Sequence, residues 1–150
     1  MTVLGDIAGA LNSYLDDEVT VSIVDVDPPG NQVDINDVVL FQVRIENGGH
    51  INMSGVTLHV HGLNGVDVST SSAGPWSDTA ILSGLSIAGG SSKDTNNLYF
   101  KAPPSQRAAG TQLVSSHIYA WFGDWNHMFD NHTNGSETPS GVYTDQVHDN

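Results

Sequence analysis

Asp37-Val-Val-Leu-Phe-Gln-Val-Arg-Ile-Glu-Asn-Gly-Gly49 decides how this chain is read. Val39, Phe41, Val43 and Ile45 fall on one face of an extended backbone, and Leu40, Gln42, Arg44 and Glu46 fall on the other. An apolar row repeating every second residue is the pattern of a half-buried β-strand, because successive side chains point to opposite faces. Asn47-Gly48-Gly49 closes it as a turn signal. A strand of this kind belongs at the centre of a sheet and fixes the register of its neighbours.

The pattern repeats on both sides. Upstream, Val19, Val21 and Ile23 alternate with Thr20, Ser22 and Val24, which predicts a first strand; Asp25-Val-Asp-Pro-Pro-Gly-Asn31 reads as the turn after it. Downstream, Val56, Leu58 and Val60 alternate with Thr57, His59 and His61, and Gly62 to Gly65 ends that strand. Val66 to Ser69 starts another, and residues 70–78 form a Ser-rich loop carrying Trp76. Ile81, Leu82, Leu85 and Ile87 precede a turn at 88–92, and Asp94 to Lys101 alternates again, with Leu98 and Phe100 opposed to Asn97 and Tyr99. Leu113 to Phe122 is the longest late strand, with Val114, Ile118, Ala120 and Phe122 on one face and His117, Tyr119 and Trp121 on the other. Two apolar or aromatic faces predict a central strand, or one whose second face meets a partner. Val142, Tyr143 and Val147 mark a last short strand. About seven short strands separated by turns predict a mainly β chain: a single antiparallel Greek-key, immunoglobulin-like sandwich.

Before the strands, Val3, Leu4, Ile7, Ala8, Leu11, Tyr14 and Leu15 follow helical spacing, so residues 3–15 read as a short helix with one apolar stripe. A helix this short is marginal alone and must bury its stripe, on its own sandwich or on another protein. The chain thus divides into an N-terminal helix or anchor segment at 1–18 and a sandwich with a polar acidic tail at 19–150.

The run from Val19 to Phe122 resembles the immunoglobulin-like modules of the CARDB type, related to cell-surface adhesion repeats. The resemblance is carried by Val21-Ser-Ile-Val-Asp-Val-Asp-Pro-Pro29, Asn36 to Gly49, Val56-Thr-Leu-His-Val60 and Leu85-Ser-Ile-Ala-Gly-Gly-Ser91. It implies a non-enzymatic adhesive or spacer module. Such modules usually stand in tandem behind a signal peptide, whereas this is one copy starting at a methionine.

Composition narrows the partners. The 150 residues suffice for one domain with a full core. There is no cysteine, so neither disulfides nor thiolate metal sites hold it. Four Lys or Arg against 17 Asp or Glu give a formal charge of −13. Such a surface repels phosphate backbones and anionic headgroups, so no nucleic-acid partner is expected. No apolar run is long enough to span a membrane, so no membrane insertion is expected either. Met1 to Leu11 lacks a basic start and carries Asp6, which is not the pattern of a Sec signal.

Three constellations can carry chemistry. His59 and His61 lie two apart on one strand face, near enough to share a metal ion, with His117 or an acidic side chain as third ligand; they equally suit a solvated polar face. Asp124, Asn126, Asp130, Asn131, Asn134 and Glu137 offer oxygens to calcium without matching an EF-hand, and Asp25, Asp27, Asp34 and Asp37 form a second acidic group; both equally suit solvated loops. Trp76, Tyr119, Trp121 and Trp125 can stack on sugars or serve as core and interface. There is no nucleophile elbow or phosphate loop, and no catalytic residue is singled out.

These readings predict a non-enzymatic structural or assembly protein. The first expectation is an accessory subunit of a virus or phage particle, head-decoration or tail-associated, located in the virion. It would be a homo-oligomer that contacts a capsid or tail protein through Leu4, Ile7, Leu11, Tyr119 and Trp121. The second is a calcium-dependent carbohydrate or cell-surface binding module, with Asp124 and Asp130 among the ligands, placed outside the cell or on its surface. The third is a metalloenzyme at His59 and His61. Calcium aside, no cofactor is expected.

Overall fold

The computed structural model describes Tyr14 and residues 17–27, 32–122 and 141–148, and folds them into two five-stranded sheets. In the first, β1 (Val19–Asp27), β3 (Val38–Asn47), β8 (Leu98–Lys101) and β5 (Asp67–Ser69) lie side by side, and β7 (Ser91–Asp94) pairs with the end of β3. In the second the order is β2 (Gln32–Asp34), β10 (Gly141–His148), β9 (Thr111–Phe122), β4 (Met53–Gly62) and β6 (Thr79–Ile87). All pairings are antiparallel except β2 with β10. The chain is a mainly β, two-sheet sandwich.

The strand at Asp37 to Gly49 lies where its pattern requires. Val39, Phe41, Val43 and Ile45 are fully buried, and Arg44 on the opposite face forms an ion pair with Asp94. The Phe41 ring meets Phe100 of β8 at 5.9 Å, and Phe100 meets Tyr143 of β10 at 5.9 Å, a tilted aromatic chain that ties the first sheet to the second. Such pairs add about 0.5–1.5 kcal/mol beyond the area they bury.

Several details differ from the sequence expectation, each for a local reason. Among the described residues ten strands form instead of about seven, because β2 is too short for periodicity to show and β7 and β8 read as one alternating run. Asp25 does not open a turn; it takes φ 54° within β1, where the register with β3 shifts, and the strand runs on to Asp27. The alternating run at 94–101 is two strands. Between them the buried Thr95 hydroxyl accepts from the Val43 amide at 3.0 Å while the Thr95 amide donates to the Val43 carbonyl at 2.9 Å. One side chain thus replaces a ladder rung where the register slips by a residue.

Asn47, read above as the start of a turn, is the buried last residue of β3. Its side-chain amide donates to the carbonyls of Ile51 at 2.7 Å and Ile87 at 3.2 Å, and its Oδ1 accepts from the Tyr14 hydroxyl at 2.5 Å. Tyr14 also packs against the core, so the end of the N-terminal segment is fastened to its own sandwich. Leu4, Ile7 and Leu11 lie outside the described residues, as does the rest of the expected helix apart from Tyr14. Among the described residues no helix is long and apolar enough to cross a membrane.

Candidate metal centre

Two glycines set the register of the sheet that carries the histidines. Gly55 on β4 and Gly84 on β6 take φ 57° and 74°, where side chains are strained, and each inserts one extra residue. Met53 and Val56, three apart, are therefore both buried. The two insertions oppose each other, so from Leu58 onward β4, β6 and β9 run in regular pairing: Leu58 with Leu82 and Ile118, His59 with Ile81 and His117, His61 with Thr79 and Ser115. Leu58, Val60 and Ile118 point into the core. By strand alternation His59, His61 and His117 share the opposite face.

This register makes a cluster. The His117 ring stands 5.2 Å from both His59 and His61, and those two are 6.2 Å apart. One ring nitrogen from each lies within 4.8 Å of the others. His61 and His117 are near parallel, at 18°, and His59 is tilted against both. His117 is 4% exposed, whereas His59 and His61 are half-buried. His61 Nδ1 lies 3.3 Å from the Thr79 hydroxyl of β6. That contact fixes the ring's orientation and leaves Nε2 for another partner. Three imidazoles on two adjacent strands present the donor set that suits zinc, copper or nickel, and not the oxygen set that calcium requires.

The burial of β9 continues beyond His117. Leu113, Val114, Ser115, Ser116 and Ile118 are all buried, and Leu113 and Val114 are both in the core because the register with β10 slips there. β9 is the central strand that its two-faced pattern predicts, flanked by β10 and β4.

The structure brings His117 to the His59–His61 pair, as one of the two alternatives for a third ligand. Thr79 joins them without any sequence signal to mark it, since its place depends on β6 pairing. Asp25, Asp27, Asp34 and Asp37 are not gathered: among the described residues, three such groups lie within ligand distance of one another at the histidines alone. Tyr119 and Trp121 belong to β9, opposite Thr57 and Ser54, but their side chains lie outside the described residues. Asp124, Trp125, Asn126, Asp130, Asn131, Asn134 and Glu137 also lie outside them. Trp76 lines a cavity of about 300 Å³ with Asn36, Gly65, Asp67, Lys101 and Pro103.

No family model and no curated protein matches this chain by sequence. Solved structures match its fold. The CARDB domain of a Pyrococcus furiosus protein, crystallised in complex with di-metal ions, covers 87% of this chain and 88% of its own length, at TM-score 0.47 and 11% identity. A solution structure of the same domain covers 87% and 94%, at 0.48 and 11%. The sporulation control protein Spo0M from Bacillus subtilis covers 87% and 48%, at 0.41 and 9%. These likenesses concern the fold. The sequence resemblance to CARDB-type modules is accompanied by this likeness over 87% of the chain, and what the chain itself shows is a mainly β, two-sheet sandwich.

Proposed function

We propose that this chain is a non-enzymatic structural or assembly module that associates with further copies of itself along the edge that β6 forms among the described residues. The supporting observation is the composition of that edge. Thr79 to Ile87 holds nine residues without a charge in a chain of net charge −13, and Ile81 is 58% exposed. β6 ends its sheet, and among the described residues β4 is its one strand partner there. An edge offers unpaired backbone donors and acceptors, and proteins usually guard it with lysine, proline or a bulge. Gly84 supplies a bulge in the second half, which leaves Thr79 to Leu82 as the regular stretch open to strand addition. Two acidic copies repel over most of their surface, and an uncharged edge is where they can meet about a two-fold axis.

Within this class we favour an accessory subunit of a virus or phage particle, head-decoration or tail-associated, residing in the virion with a capsid or tail protein as partner. Such particles display many identical copies, which suits a small sandwich with a self-complementary edge. Mass measurement at physiological ionic strength tests the association: wild type is an oligomer and Ile81→Lys a folded monomer. A wild type that stays monomeric at high concentration sinks the proposal. Capsid or tail genes beside its own gene would support the particle setting, and their absence would remove it.

One observation favours a second reading, a carbohydrate or cell-surface binding module. The Trp76 cavity sets an indole beside an amide, a carboxylate and an ammonium, the combination of flat apolar face and polar contacts that sugars take. Glycan-panel titration followed by tryptophan fluorescence tests it, with Trp76→Ala expected to abolish the response. No response in the wild type removes this reading, and an unchanged melting temperature on chelation removes its calcium dependence.

A further inference from the structure

We infer that His59, His61 and His117 form a three-nitrogen site for a divalent transition-metal ion, zinc first among them, which straps β4 to β9. This goes beyond the assembly reading and does not depend on it.

Four observations converge. The ligand atoms lie within 4.8 Å of one another. In tetrahedral zinc, with bonds of about 2.0–2.1 Å, ligand nitrogens sit roughly 3.3 Å apart. Small side-chain rotations close that difference, and the backbone need not move. The ligands stand on paired strands, His59 directly opposite His117 and His61 two residues on, so the hydrogen-bonded ladder fixes their spacing before any ion arrives.

The third observation is Thr79. With Nε2 of His61 on the ion, Nδ1 carries the proton and donates to the Thr79 hydroxyl, the outer contact that metal-bound imidazoles commonly make. It comes from β6, so three strands take part. The fourth is the donor set itself. Nitrogen ligands without thiolate or carboxylate select borderline metals over calcium and magnesium, and the −13 charge of the chain draws cations toward it. Three protein ligands leave at least one coordination position for water or another donor.

Because the two strands carry the ligands together, the ion binds the folded sheet more tightly than the unfolded chain, so loading raises the unfolding temperature.

The test is direct. Metal-stripped full-length protein is titrated with zinc, nickel and calcium chloride near neutral pH by calorimetry, and bound metal is counted after dialysis. The expected result is one zinc or nickel per chain, no calcium at this site, and a higher melting temperature with zinc. His59→Ala and His61→Ala, both at half-buried positions, should each weaken zinc binding by at least about 100-fold, on the scale that even outer-contact losses reach. Thr79→Val should weaken it by about 10-fold or more while leaving one ion per chain. His117→Ala removes a buried side chain, so circular dichroism must first show it folded; if it is not, the two half-buried variants decide the question. Zinc that fails to bind stoichiometrically, or that binds His59→Ala and His61→Ala as tightly as wild type, overturns the inference. Neither outcome touches the mass measurement that tests self-association.

Discussion

β3 and β9 are the central strands of the two sheets, and they differ on the face turned away from the core. Both place an apolar row inward: Val39, Phe41, Val43 and Ile45 on one, Val114 and Ile118 on the other. Outward, β3 shows water Leu40, Gln42, Arg44 and Glu46, with Arg44 held to Asp94 by paired contacts of 2.7 and 3.0 Å. On β9 the outward positions Ser115 and His117 are polar and buried, at 1% and 4% exposed. The same period-two pattern therefore yields scaffold in one sheet and a chemically equipped surface in the other. What separates them is the burial of those outward positions, together with the neighbours that the register supplies.

Substitutions on the inward row, at the end and on the outward face of β3 should cost progressively less stability. Phe41→Ala strikes the inward row of β3 and empties a fully buried aromatic site that Phe100 leans on. Denaturant unfolding should show a loss of about 3–5 kcal/mol. A loss under about 1 kcal/mol would mean that β3 is not the centre of the core. Asn47→Ala, at the end of the same strand, leaves the Ile51 and Ile87 carbonyls and the Tyr14 hydroxyl without their buried partner. A loss of about 1–3 kcal/mol is expected, and Tyr14→Phe should recover part of the coupling in a double-mutant cycle. Additive single and double variants would show that Tyr14 does not lean on Asn47.

The smallest effect belongs to the outward face of β3. The Arg44 guanidinium, through its hydrogen bond and its charge, holds the Asp94 carboxyl below the ordinary carboxylate value, and Asp94 in turn raises Arg44. A depressed carboxyl stabilises the fold above its unfolded value, and that contribution is lost as pH falls through the folded one. Asp94→Asn should therefore be slightly less stable than wild type at neutral pH and indistinguishable from it in strong acid. Both groups are more than a third exposed, so the difference is expected to be small and to shrink further in high salt. A gap that widened on acidification would show that this pair is not its source.

The legibility of the fold follows the range of the interactions involved. Val39 to Ile45, Val56 to Val60 and Leu98 to Phe100 announce their strands because alternation is local. Asp25 inside β1 and Thr95 between β7 and β8 do not announce their roles, because a bulge is settled by what the partner strand does. The same division runs through the candidate site. His59 and His61 are visible as a pair, since two residues of one strand always share a face. His117 stands beside acidic side chains as one alternative among several, and Thr79 carries no mark at all.

By itself the sequence determined the inward rows, the sandwich class, the acidic surface and the pairing of His59 with His61, since each depends on residue type and a period of two. The tertiary structure alone decided that Asn47 is a buried hub, that β9 is covered outside at Ser115 and His117, and that His117 and Thr79 close around the His pair. The closing of His117 and Thr79 around that pair rests on register across strands distant in sequence, in which Gly55 and Gly84 mark the opposed insertions. A one-residue change in that pairing would turn His117 to the other face while leaving every local pattern intact.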